Sequence, residues 1–116
     1  MKNELVDAIK LNTETLFVNA DIMLQTCNMD FVLCDMPVWK HAYHMLHSLD
    51  QWYINPTVYE EPDFHEPGLN SLDIVSDKFL SREELMNYLA NNKTKIIDYL
   101  AVLTDESLMD IPEGAK

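Results

Sequence analysis

The stretch PVWKHAYHMLHSLDQWYINP, residues 37–56, decides how this chain is read. Advancing 100° per residue around a helical wheel gathers Val38, Trp39, Ala42, Met45, Leu46, Leu49, Trp52 and Tyr53 on one broad face. Lys40, His44, His47, Asp50 and Gln51 fall on or toward the other side, with His41 at the edge. Asp35 is placed to cap the start, and Pro37 in the first turn sacrifices no hydrogen bond. At the far end Pro56 pushes Asn55 out of the helical region. The spacing predicts an amphipathic helix over 37–54 that carries His41, His44 and His47 at three-residue intervals.

On its N-terminal side, Leu5, Ile9, Leu16, Ala20, Met23 and Cys27 recur in steps that predict a first helix over 3–26, followed by a connector from Asn28 to Met36. On its C-terminal side lies an irregular stretch from Asn55 to Leu80, with Pro56, Pro62, Pro67 and Gly68 and an acidic group of Glu60, Glu61, Asp63 and Glu66. A loop of that length inside a compact domain is usually a lid or another functional segment; a short helical turn is expected near Leu72 to Val75. Ser81 and Glu84 form a capping box that opens a third helix over 82–103. Its buried stripe is Leu85, Leu89, Asn92, Ile96, Leu100 and Leu103. Thr104, Asp105 and Glu106 begin a further short turn holding Leu108, and Pro112 and Gly114 close the ordered part.

These elements predict an all-α chain, an up-down helical bundle of three long helices with a long loop between the second and third. The 116 residues form a single domain over 1–111 with a tail at 112–116. The long second connection resembles a crossover that makes room for a fourth helix. That place is then missing, filled by another copy in a homodimer, or supplied by natural sequence beyond Lys116. With 20 acidic against 8 basic residues and a net charge of -12, the surface repels nucleic acid. No apolar run is long enough for a membrane span and the first residues lack a signal peptide's apolar region, so the cytoplasm is the expected compartment. Cys27 and Cys34 are expected as two buried free thiols.

The second helix, the segment GLNSLD (residues 68–73), and the third helix with its tail, LSREELMNYLANNKTKIIDYLAVLTDESL (residues 80–108), together resemble the DinB-like superfamily of metal-binding four-helix bundles. The resemblance implies a divalent ion, zinc or nickel, held by one histidine of the second helix and a His-x-x-x-His pair on the last. It also implies metal-dependent hydrolysis or thiol transfer. His44, with Trp52 eight residues on, fits the first element, whereas no His-x-x-x-His occurs anywhere in the chain. One imidazole cannot hold an ion where such sites need three or four ligands.

His47, a helical neighbour of His44, is therefore the expected second ligand, with His41 or a second copy as other sources. The alternative for His47 is a solvated surface histidine paired with Asp50. His41 reads as a satisfied residue at the core edge, and His65 as an exposed loop residue unless the loop closes to complete a His and carboxylate set. No phosphate loop, nucleophile elbow or zinc-protease motif is present.

Overall fold

The computed structural model describes residues 3–74 and 78–110. Three helices account for most of them: α1 (Glu4–Thr26), α2 (Val38–Trp52) and α3 (Arg82–Ala101). An all-α framework is thus present, with one small addition. The expected connector folds into a two-stranded antiparallel ribbon, β1 (Val32–Leu33) paired with β2 (Met36–Pro37). Its two-residue turn places Cys34 and Asp35 at φ 53° and 68°, the left-handed geometry a tight hairpin requires. Asp35 is spent in that turn and caps nothing, so Pro37 itself occupies the cap position of α2. Both cysteines are free; Cys27 is half-buried, and Cys34, carried out on the turn, is exposed rather than buried.

Polar contacts at the helix ends fix the directions. Asp105, just past α3, accepts hydrogen bonds from the Leu5 and Val6 amides of α1 at 3.1 and 2.9 Å. At the opposite end Arg82 donates to the Leu24 carbonyl and, at 2.7 Å, to the Cys27 carbonyl. An anion therefore sits at the positive end of α1 and a cation at its negative end, each satisfying backbone groups the helix leaves open. α3 runs antiparallel to α1.

α2 also runs antiparallel to α1, since Thr13 meets Tyr53 at 2.5 Å while the Trp39 amide bonds to Met29 beyond the other end of α1. α2 and α3 are consequently parallel. The alternation of an up-down bundle stops after α2, and residues 53–81 cross back along the molecule before α3 begins. This crossover holds a 3-10 turn at Pro56–Val58, and a second one follows α3 at Ser107–Met109. Residues 72–74 are bends rather than helix; Val75, like the tail from 111, lies outside the described residues.

The core joins all three helices through Phe17 and Leu24 of α1, Trp39, Tyr43 and Leu46 of α2, and Leu85, Leu89 and Ile96 of α3, with Leu69 and Leu80 added from the crossover. α3, opened by the Ser81–Glu84 capping box, buries Leu85, Leu89, Asn92, Ile96 and Leu100 of the expected stripe and adds Tyr88, but ends at Ala101, leaving Leu103 half-buried beyond it. α1 follows expectation in part: Ala20 is buried and Ile9, Met23 and Cys27 pack half-buried against the core, but Val6, Thr13, Phe17 and Leu24 are buried where Leu5 and Leu16 are 62% and 42% exposed. The helix is apolar on more than one face, and contact with α3 selects the second stripe.

α2 is rotated likewise. Lys40, Tyr43, His47 and Asp50 are buried, and Trp52 is 64% exposed. The crossover covers the side that periodicity alone assigns to solvent, leaving Met45, Leu49 and Trp52 along an open groove beside α1.

Asp105 supplies the test of this arrangement. Replacing it with alanine removes two acceptors and the charge at the start of α1, and is expected to cost about 1 kcal/mol, a fall of roughly 4 °C in Tm for a domain of this size. Thermal unfolding followed by circular dichroism measures it.

Candidate metal centre

The site begins with two residues one helical turn apart on α2. Tyr43 and His47 project from the buried side toward the crossover, where a turn closed by the His65 amide and the Pro62 carbonyl at 2.9 Å brings Glu61 and His65 together. The His47 Nε2 lies 3.1 and 3.0 Å from the two Glu61 carboxylate oxygens, and the His65 Nε2 lies 2.8 Å from Oε2. The two imidazoles stack at 4.7 Å with 21° between their planes. One ligand atom from each of His47, Glu61 and His65 falls within 4.8 Å of the others, a group able to hold a metal ion.

Bonds of about 2.0–2.1 Å to nitrogen or oxygen require neighbouring donors roughly 2.9 to 3.3 Å apart, depending on coordination number. The nitrogen-to-carboxylate distances fall at the short end of that range. Glu61 is the most exposed of the three, its side chain 45% accessible, so it is the ligand free to withdraw toward solvent.

The far side of each ring is also engaged. The Tyr43 hydroxyl sits 2.7 Å from the His65 Nδ1, and the Asn70 amide nitrogen 3.4 Å from the His47 Nδ1. Asn70 is held in turn by the His44 Nδ1, 2.7 Å from its backbone carbonyl. Gly68 makes the local bend at φ 84°, where an added Cβ would come within 3.1 Å of the Ile74 side chain, and its carbonyl accepts from the buried Lys40 ammonium at 2.9 Å. Burial lowers the Lys40 pKa. Beneath the histidines, Tyr43, Phe64 and Tyr88 form an aromatic floor with centroids 5.4 to 5.8 Å apart, and Tyr59 meets the edge of His47 at 5.7 Å. Tyr88 donates to Asp50 at 2.7 Å, and Lys95 pairs with the other Asp50 oxygen.

Electrostatics favours the neutral forms of His65 and Tyr43. Burial lowers the His65 pKa, and this outweighs the attraction of Glu61 for its charged form. The Tyr43 phenol is pushed well above its usual value by burial, reinforced by Tyr59, Glu61 and Asp50, so it remains protonated.

The four histidines therefore have distinct places. His47 is 3% exposed rather than solvated, and its carboxylate partner is Glu61, not Asp50. His44 lies outside the group, bonded to the crossover backbone; His41 holds the ribbon through the Leu33 carbonyl at 2.6 Å. His65 and Glu61 enter from the loop. Their sequence signal is the Glu61-x-x-x-His65 spacing around Pro62, which acquires meaning only once the loop is seated on α2. Comparisons with protein-family models, with curated proteins and with solved structures find no match for this chain.

The lowered His65 pKa sets a direction with pH. The unfolded chain takes up the proton at about 6.5, the ordinary value, before the folded chain does. Stability contributed by neutral His65 is therefore complete above that pH and declines as pH falls from 6.5 toward the lower folded value. Urea unfolding between about pH 5 and 7.5 is expected to show stability rising with pH, with a shallower slope in His65→Gln.

Proposed function

We propose that this protein is a divalent transition-metal-binding helical module whose protein ligands are His47, Glu61 and His65. The observation that carries the reading is the convergence of two imidazoles and a carboxylate from separate elements within 4.8 Å. Two nitrogens and one oxygen suit zinc or nickel better than magnesium or calcium, which prefer all-oxygen shells. The resemblance to DinB-like bundles supports the same class, with a different ligand set: His44, the residue that fits the family motif, gives way to His47 and two crossover residues.

A cation held there would supply Lewis acidity and a water acidified toward neutral pH, the chemistry of hydrolysis or thiol transfer. The chain's own contribution is orientation. Tyr43 and Asn70 fix the two rings, the aromatic floor keeps water from beneath them, and the exposed side of Glu61 leaves an approach for substrate. No described helix is long and apolar enough to cross a membrane; residence in the cytoplasm belongs to the proposal.

A second reading, an interaction module that pairs with another copy, is favoured by the groove between α1 and α2. It measures about 320 Å³, and Leu16, Phe17, Met45, Leu49 and Trp52 line it. Covering such a surface is favourable at roughly 25 cal/mol per Å² of apolar area before the cost of association.

Metal analysis and calorimetric titration of the purified chain test the first reading. One zinc or nickel per chain is expected, with affinity reduced at least about a hundredfold by His47→Ala or His65→Ala, beyond the cost of losing an outer partner, and far less by His44→Ala, which removes a support of Asn70 but no ligand. A chain that takes up neither ion overturns it.

Light scattering tests the second. Pairing predicts a dimer that Trp52→Glu returns to monomer. A monomeric native chain excludes this reading.

A further inference from the structure

The hydrogen-bond chemistry of the cluster constrains how a metal could enter. An ionised carboxylate only accepts, so each Nε2 near Glu61 carries a proton and donates it. Each neutral ring then presents an Nδ1 lone pair, and both meet donors: the Tyr43 hydroxyl at 2.7 Å and the Asn70 amide nitrogen at 3.4 Å. The cluster is thus satisfied as a hydrogen-bonded unit. Metal coordination needs the opposite tautomer, with the Nε2 lone pair on the ion and Nδ1–H seeking an acceptor. Tyr43 can supply one by rotating its hydroxyl, because the same oxygen donates and accepts. The NH2 group of Asn70 cannot; the amide must turn over to offer Oδ1.

We infer that Asn70 is a positioning residue that, opposite Glu61, decides whether the His47 Nδ1 can carry a proton, and with it the metal affinity of the site, by turning its amide between donor and acceptor faces. The inference rests on the proposed metal site for its second half only. Half-buried at the end of the Gly68 bend, Asn70 has its backbone fixed by His44, so its side chain can turn while the loop stays in place.

Zinc titration of the wild type, Asn70→Asp and Asn70→Ala, together with 15N NMR of the metal-free imidazoles, provides the test. In the wild type the His47 Nδ1 should carry no proton, and in Asn70→Asp a proton should appear on Nδ1 beside the new carboxylate. Zinc affinity should rise about tenfold or more in Asn70→Asp and fall by about as much in Asn70→Ala, the usual range for an outer-sphere partner. A residue that merely holds the loop predicts losses in both variants. Ser71→Asp adds the same charge one residue along and should reproduce neither the Nδ1 proton nor the full gain. A His47 Nδ1 still without a proton in Asn70→Asp overturns the inference. Absence of zinc binding by the wild type, with the Nδ1 proton gained in Asn70→Asp, instead overturns the proposed function and leaves the control of Nδ1 by Asn70 standing.

Discussion

The structure depends on how the polar side of α2 is covered. Lys40, Tyr43, His44 and His47 recur at three- and four-residue steps, and each reaches a different point of the crossover: the Gly68 carbonyl, His65, the Asn70 carbonyl and Glu61. A helix face that periodicity marks as solvated is thereby turned inward. The crossover has little regular hydrogen bonding of its own, so these side chains fix its path while Phe64 and Leu69 anchor it by burial. Parallel placement of α2 and α3 requires a connection along the whole molecule, and the fold uses that required length of chain to carry Glu61 and His65.

A second polar set lies between the two parallel helices. Asp50 is 8% exposed, a carboxylate that would be costly to bury alone, yet it accepts from Tyr88 and pairs with Lys95. Asn92, 2% exposed, donates to the Leu46 carbonyl at 3.1 Å. Directional bonds of this kind fix the register of α2 on α3 more narrowly than apolar contact does, because a slip of one residue would strand a buried charge. The register matters to the site. Tyr88 contributes the Asp50 bond and packs on Tyr43, the partner of His65, so helix packing and imidazole placement are linked through these rings.

How much of this was legible in the sequence varied with the element. α3 could be read directly, because its capping box and single stripe, Leu85 to Leu100, leave no competing face. α1 could be read as a helix but not oriented, since Leu5 and Leu16 compete with Val6 and Phe17 for the core and only α3 decides between them. α2 misled for a physical reason: amphipathicity ranks side chains by polarity, and the buried Lys40, Tyr43, His47 and Asp50 are satisfied by partners far along the chain. His47 was legible as a candidate ligand beside His44, while Glu61 and His65 were not joined to it, because their meeting depends on loop closure rather than local spacing. The Asp105 and Arg82 contacts at the ends of α1, 99 residues from Val6 and 55 from Cys27, are beyond any local pattern.

The same closure links stability to the site's chemistry. His47 comes from a rigid helix, whereas Glu61 and His65 come from a segment ordered mainly by its contacts with that helix. Anything that strengthens the three-way contact also holds the crossover down. An ion at one hundred times its dissociation constant would stabilise the folded chain by about 2.7 kcal/mol, provided the unfolded chain does not bind it. Protons act in the reverse sense at His65, because burial penalises its charged ring. A metal centre there would differ from the loop staple in the tautomers of the two rings, in the face that Asn70 presents and in the withdrawal of Glu61 that makes room for an ion.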